Sequence, residues 1–301
     1  SSQTGFPYRK MVVATGFFDG VHTGHRELIN ELVSMASERH TDSLVITFWP
    51  HPRIVLHPDE HFPGLLTSLE ERRAKLLECG IDRVEVIEFT KEFSSLTASG
   101  FIDEYVRRKF GADALVMGYD NRLGCDLKGS EEIRSAFAGC SPEILIAGRK
   151  DSDGMAISST RIRRALSEGN IEQASAMLGY DYTIGGVVVH GQKLGRKLGF
   201  PTANLEMDEP LKVIPAHGAY YVKVRVCGEE YGGMCNVGVR PTVGGSCPVI
   251  EAHLFGFDRE IYGEKIEISF VRRIRGEKKF SGLEELKRQL EMDKKLCIFG
   301  K

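Results

Sequence analysis

Two histidines three residues apart close the segment Gly16-Phe17-Phe18-Asp19-Gly20-Val21-His22-Thr23-Gly24-His25. An apolar run with strand character, Met11 to Thr15, leads into it. After it, Glu27 to Glu38 carries Leu28, Ile29, Leu32, Val33 and Ala36 at helical spacing. A glycine-bearing turn between a strand and a helix N-terminus lets the backbone approach phosphates, and free N–H groups and the positive end of the helix dipole favour the anion. Gly16, Phe17, Asp19 and Gly20 are accordingly candidate nucleotide contacts. His22 and His25 can turn two imidazoles toward one phosphate and neutralise charge on a pentacoordinate phosphorus, with no nucleophilic side chain required. A bare H-x-x-H is more often polar surface or a helix cap; the strand, the glycines and the helix move this one toward nucleotidyl transfer.

The second half offers different chemistry. No G-x-x-x-x-G-K-[ST] occurs, which excludes a P-loop kinase as the simple reading. Instead Gly191, Gly195 and Gly199 interleave with Lys193, Arg196 and Lys197, a flexible basic arch suited to covering phosphates. Barrel corners also need glycine, so that spacing is weak evidence alone. Pro201-Thr202-Ala203-Asn204 follows, which in isolation reads as an ordinary turn. Further on, Glu251 stands in the alternating stretch Ile250-Glu251-Ala252-His253-Leu254, where exposed carboxylates are common.

The elements that must position these residues fall into two textures. Up to about Leu178 short apolar runs alternate with helical periodicity, the pattern of a parallel sheet wrapped in helices. Strands are predicted at Met11–Thr15, Leu44–Phe48, Val84–Phe89, Ala114–Met117 and Ile144–Ala147. A helix is predicted at Glu27–Glu38, and a capping box at Thr67-Ser68-Leu69-Glu70 opens another that Gly80 can close. After Gly179, strands are predicted at Tyr182–His190, Gly218–Cys227, Tyr231–Val237, Val249–Phe257 and Lys265–Val271. Their turn-rich spacing suggests an antiparallel barrel, finished by a helix over Leu283–Met292. The boundary is expected near Tyr180.

Composition narrows the class. A chain of 301 residues has length for two domains that each bury a core, and a charged fraction of 27% is that of an ordinary globular protein. No apolar run reaches the length of a spanning helix, and Ser1 to Lys10 does not read as a signal peptide, so no membrane partner is expected. Seven cysteines without a C-x-x-C pair fit a reducing cytoplasm better than a disulfide framework or structural zinc. A formal net charge of -2 supplies no global reason to expect nucleic acid. Protein partners are not indicated.

Gly16 to His25 resembles the H-x-G-H nucleotidylyltransferase signature, in the longer G-x-F-D-G-x-H-x-G-H form of bacterial bifunctional riboflavin kinase/FAD synthetases. Ile157-Ser158-Ser159-Thr160-Arg161-Ile162-Arg163 resembles that family's I-S-S-T-x-I-R motif, which implies that Ser159, Thr160 and Arg163 hold ATP phosphates at a helix start. Gly118 to Gly124 resembles the G-x-D-F-R-F-G loop; it retains Asp120 and Arg122 as nucleotide contacts but has Asn121 and Leu123 where aromatics are usual. Thr47-Phe48-Trp49-Pro50-His51-Pro52 matches T-F-x-P-H-P, which the resemblance implies is a mobile loop with Trp49 and His51 near the flavin. A rigid proline turn with Trp49 in the core is the other reading.

In the second half, Pro201-Thr202-Ala203-Asn204 resembles the riboflavin kinase P-T-A-N motif. Its threonine hydroxyl and asparagine carbonyl are hard oxygens of the kind Mg2+ accepts while bridging ATP phosphates, so Thr202 and Asn204 are the implied metal ligands. Phosphorylating an alcohol needs a proton acceptor, and Glu251 matches the E-x-H element as that base. Asn236 opens a stretch similar to N-x-G-x-x-P-T, and Ile274 to Phe280 resembles the late R-x-E-x-x-F segment, which implies flavin contacts at Asn236, Arg275 and Phe280.

The resemblance implies an α/β Rossmann-like nucleotidylyltransferase domain over residues 1–180. An antiparallel β-barrel riboflavin kinase domain with a C-terminal helix would follow over 181–301. ATP is the implied co-substrate and Mg2+ the implied cofactor, with riboflavin, FMN and FAD as substrates and products. Two other readings are a nucleotidylyltransferase of different substrate class carrying an unrelated barrel, and a non-catalytic flavin-binding regulator. Thr202, Asn204 and Glu251 together argue against the first, and the intact histidines, with those three, disfavour the second.

Overall fold

Strand β1 (Met11–Thr15) is buried along its whole length, as a strand is when helices cover both faces of its sheet. The computed structural model describes residues 10–119, 121–147, 157–191, 194–242 and 245–299. The chain divides into two compact units: one holds residues through Phe62 and Thr67–Ile157, the other Pro63–Leu66 and the residues from Ser158 onward.

In the first unit β1 is followed by β2 (Asp42–Trp49), β3 (Arg83–Glu88) and β4 (Ala112–Gly118), then by a short hairpin of β5 (Arg122–Leu123) and β6 (Lys128–Gly129), and by β7 (Glu143–Ala147). The five long strands form a parallel sheet in the order β3-β2-β1-β4-β7. Alternate residues enter opposite layers: Val13, Leu44, Ile46 and Leu115 pack in one core, and Val12, Ala14, Val45 and Val116 in the other with Ile29, Leu32 and Ala36. Strand order reverses between β1 and β4. In open parallel sheets such a reversal leaves a ligand crevice beyond the carboxyl ends, and the loops from Gly16 and Gly118 emerge there.

Two local expectations need correction. The helix expected over Glu27–Glu38 already begins at Thr23, because His22 is extended and its Nδ1 accepts the His25 N–H at 3.3 Å as an N-cap. The capping box lies one residue later than expected. Ser68 Oγ accepts from Glu71 N–H at 3.1 Å and Glu71 Oε2 accepts from Ser68 N–H at 2.9 Å, opening Leu69–Glu78. Thr67 does not cap: its hydroxyl donates to Asp19 and accepts from Gly20 N–H instead. Gly80, with φ 88°, supplies the left-handed residue after that helix. Ser68→Ala is expected to cost about 1 kcal/mol, read as a lower thermal midpoint for this unit.

In the second unit the helices Ser159–Glu168 and Ile171–Leu178 precede β8 (Tyr182–Val189), β9 (Ala203–Met207), β10 (Gly218–Val226), β11 (Glu229–Thr242), β12 (Gly245–Leu254) and β13 (Lys265–Gly276). These six strands close into an antiparallel barrel in the order β10-β11-β12-β9-β8-β13. β8 alternates buried and half-buried residues, as a barrel wall should. β9 was not expected: it contains Ala203 and Asn204, so the P-T-A-N segment leads into a strand rather than forming a simple turn. The closing helix runs past Met292 to Phe299 and packs Leu290 and Cys297 with Phe200 and Met234 on the outside of the barrel.

Candidate active sites

The loop leaving β1 is held in a costly conformation. Phe18, Gly20 and Val21 have φ of 56°, 83° and 38°. A branched side chain in the left-handed region costs on the order of 1–3 kcal/mol and persists only where its surroundings enforce it. Here buried Asp19 supplies the constraint: its Oδ1 accepts from Thr67 N–H at 3.1 Å and Thr67 Oγ1 at 3.2 Å, while Thr67 Oγ1 accepts from Gly20 N–H at 3.1 Å.

That loop brings the two predicted histidines together. Their rings stack with centroids 3.5 Å apart and 15° between planes, and Phe18 meets His25 edge-on at 5.2 Å. His22 Nδ1 accepts a backbone N–H and is therefore unprotonated. His25 Nδ1 and, at the end of β1, Thr15 Oγ1 are buried with no hydrogen-bond partner. Burial, and secondarily His22, hold the His25 pKa well below its ordinary 6.5. The pair is thus uncharged beside a helix N-terminus, with polar atoms that a phosphate can satisfy.

The same shift carries a stability prediction. Below pH 6.5 the unfolded chain protonates His25 while the folded chain does not, so stability is lost as pH falls toward the depressed folded value. Urea midpoints at about pH 7.5 and about pH 5.5 should differ less in His25→Gln than in the parent chain.

Arg72 was missed by the sequence reading. It is fully buried, donates from Nη1 to Phe17 O at 3.0 Å and from Nη2 to Phe48 O at 3.1 Å, and lies 3.9 Å over the Phe17 ring. Burial lowers its pKa to about 10, with Asp19 and Glu70 opposing. The available signal was a charge on the stripe Leu69, Arg72, Leu76, where a core-facing apolar residue belongs. Phe17 also packs edge-on against His51 at 4.3 Å. His51 caps the helix Pro52–Leu56, and Trp49 ends β2 half-buried, 5.8 Å from the Arg72 guanidinium, so Trp49 is not a core residue. Beyond β4, Arg122 is exposed and donates to Leu127 O at 3.3 Å. Asp120 lies outside the described residues.

Ser159, Thr160 and Arg163 belong to the second unit. Ser158 caps their helix, its Oγ accepting from Arg161 N–H at 3.4 Å, and Arg163 Nε donates to Gly64 O at 2.7 Å.

On the barrel, strand register assembles residues that are far apart in sequence. Asn236 lies opposite Glu251 across β11 and β12, and Glu251 lies opposite Asn204 across β12 and β9. Directly opposed residues point to the same face, so the three form one row. Two cavities open on it. One, of 260 Å3, is lined by Gly195, Thr202, Asn236, Glu251, Arg275 and Phe280, with Leu286 and Leu290 of the closing helix. The other, of 240 Å3, is lined by Gly191, Arg196, Thr202 and Asn204 with Arg259 and Tyr262. Thr202 lines both, so a ligand in each would meet the other there. Lys193 lies outside the described residues.

His253, on the same face as Glu251, bonds the Pro201 carbonyl through Nδ1 at 2.8 Å and so must donate. Burial lowers its pKa despite that bond, which keeps the ring neutral. Gly195 fixes the other side of the segment: its carbonyl accepts from Phe200 N–H at 2.8 Å, and a Cβ would come within 2.2 Å of the Phe200 oxygen. Gly195→Ala must shift Phe200 to Thr202. It is expected to lower any activity that uses these two cavities by about a hundredfold while sparing one that uses the histidine loop, checked by assaying each separately.

Two family models match successive parts of the chain. Residues 7–161 match the FAD synthetase family model and residues 178–298 the riboflavin kinase model. A bifunctional riboflavin kinase/FMN adenylyltransferase of Listeria monocytogenes is 40% identical over 283 residues, covering 94% of this chain and 90% of the relative. One from Bacillus subtilis is 38% identical over 296 residues, covering 96% and 92%. A solved structure from Streptococcus pneumoniae, described as a macrolide-efflux protein, is 33% identical with a TM-score of 0.90, covering 99% of this chain and 96% of that one. Among the described residues of this chain no helix is long and apolar enough to cross a membrane. Both halves match in the order in which their motifs occur, and the alignments run nearly end to end: the chain belongs to the bifunctional riboflavin kinase/FMN adenylyltransferase family.

Proposed function

We propose that the barrel makes FMN and that the histidine loop converts FMN to FAD. In the first reaction Glu251 takes the proton of the riboflavin 5′-hydroxyl as its oxygen bonds to the γ-phosphorus of ATP and the bond to ADP breaks. Asn236, Arg275 and Phe280 contact the flavin in the larger cavity. Gly191, Lys193, Gly195 and Arg196 contact the nucleotide. In the second reaction an FMN phosphate oxygen attacks the α-phosphorus of another ATP and pyrophosphate leaves. His22 and His25 stabilise the charge that develops, and Arg163, Ser159 and Thr160 hold phosphates. Gly16, Phe17, Asp19, Gly20, Asp120 and Arg122 serve the nucleotide there, and Trp49 and His51 the flavin.

The observation that carries this reading is the row Asn204, Glu251, Asn236, with Thr202 shared by the two cavities. Thr202 and Asn204 also fit Mg2+: they offer neutral hard oxygens, suited to an ion whose counter-charge comes from the polyphosphate, and Asn204 is 8% exposed against Gly191, where a Cβ would displace it. Magnesium bound there would neutralise phosphate charge. Chelation by EDTA should stop both reactions, and added Mg2+ should restore them. The odd number of cysteines supports a reducing, cytoplasmic setting.

Incubating the protein with riboflavin, ATP and Mg2+ and separating the flavins over time tests the whole. FMN should appear first and FAD after it. Riboflavin and FMN both returned unchanged from folded protein would overturn the reading.

A further inference from the structure

Arg275 lines the same cavity as Glu251, and each nitrogen of its guanidinium already donates to the protein. Nε donates to Asp293 Oδ1 and Oδ2 at 3.1 and 3.0 Å, Nη2 donates to Oδ2 at 2.8 Å, and Nη1 donates to Gly276 O at 3.0 Å. Asp293 comes from the closing helix and is 1% exposed, and its Oδ1 accepts a further bond from Gln289 Nε2 at 2.9 Å. A two-pronged contact fixes the plane of a guanidinium as well as its position.

The register explains what that contact prevents. Arg275 lies opposite Ala219 across β13 and β10, Ala219 lies opposite Asn236, and Asn236 lies opposite Glu251. Along this row only the short Ala219 side chain intervenes between Arg275 and Asn236. An arginine released from Asp293 would find Glu251 and Glu277 in the same cavity as alternative counter-ions.

We propose that Asp293 is a positioning residue of the kinase reaction, holding Arg275 as a fixed flavin contact and keeping it from pairing with Glu251. The proposal rests on the reading of Glu251 as proton acceptor. Its test is kcat and KM for riboflavin phosphorylation by the full chain carrying Asp293→Asn, Asp293→Glu or the double change Asp293→Asn with Arg275→Gln. FMN adenylylation by the same preparations serves as the folding control.

Asp293→Asn should lower kcat about tenfold to a hundredfold with adenylylation retained, and Asp293→Glu should lower it less. The double change should bring kcat well above that of Asp293→Asn while raising KM for riboflavin, since the base is released but the flavin contact is gone. A purely structural role predicts no such split. If Asp293→Asn leaves kcat and KM unchanged while Glu251→Gln abolishes phosphorylation, the proposal is overturned and the base stands. If Glu251→Gln also leaves phosphorylation unchanged, the reading of Glu251 has failed instead. Should Asp293→Asn not fold, the double change, which strands no buried charge, decides the matter, and a kcat still depressed about a hundredfold overturns the proposal.

Discussion

Glu251→Ala is expected to stop FMN formation from riboflavin while FMN-to-FAD conversion continues. The carboxylate sits between two amides in a cross-strand row, so removing it takes the proposed proton acceptor from the larger cavity without touching the backbone pairing of β9, β11 and β12. A positioned general base contributes about a hundredfold to ten-thousandfold, and because it acts in the transition state the loss should fall on kcat with KM for riboflavin little changed. On the proposed assignment adenylylation uses a different cluster of residues and should persist. Loss of both activities in a folded variant would contradict separate sites.

For His25→Ala the reverse outcome is expected. The variant keeps the backbone N–H that His22 accepts at 3.3 Å, so the cap of the helix Thr23–Glu38 survives and only the stacked imidazole is removed. Loss of one donor to developing phosphate charge should raise the adenylylation barrier by about 3 kcal/mol, a slowing on the order of a hundredfold, with riboflavin phosphorylation unaffected. An adenylylation rate equal to that of the parent chain would remove His25 from the mechanism. Following each reaction with its own substrate, riboflavin or FMN, keeps the two results independent.

Arg72 and Asp293 illustrate what a linear reading overlooks. Each is a charged residue on a helix, where charge ordinarily marks the solvent side. Each is buried instead, Arg72 on the carbonyls of Phe17 and Phe48 and Asp293 on Arg275. Their partners are distant in sequence, so periodicity alone cannot reveal them.

Local signals sufficed wherever the determining contacts are local. The apolar runs of β1 and β4 lie within two residues of where they were expected, the glycine turn after β1 leads into a helix, and Gly80 closes another. The spacing of His22 and His25 was enough to suggest that they act together. Tertiary structure alone decided where register and competition between partners mattered. Asp19 took Thr67 and moved the capping box to Ser68, β9 arose because Ala203 to Leu205 pair with β12, and Asn204, Glu251 and Asn236 became neighbours only when the barrel closed. Side-chain periodicity reports which face of an element is buried, but which strand lies opposite, and at what offset, is set by long-range hydrogen bonds and packing that no single segment carries.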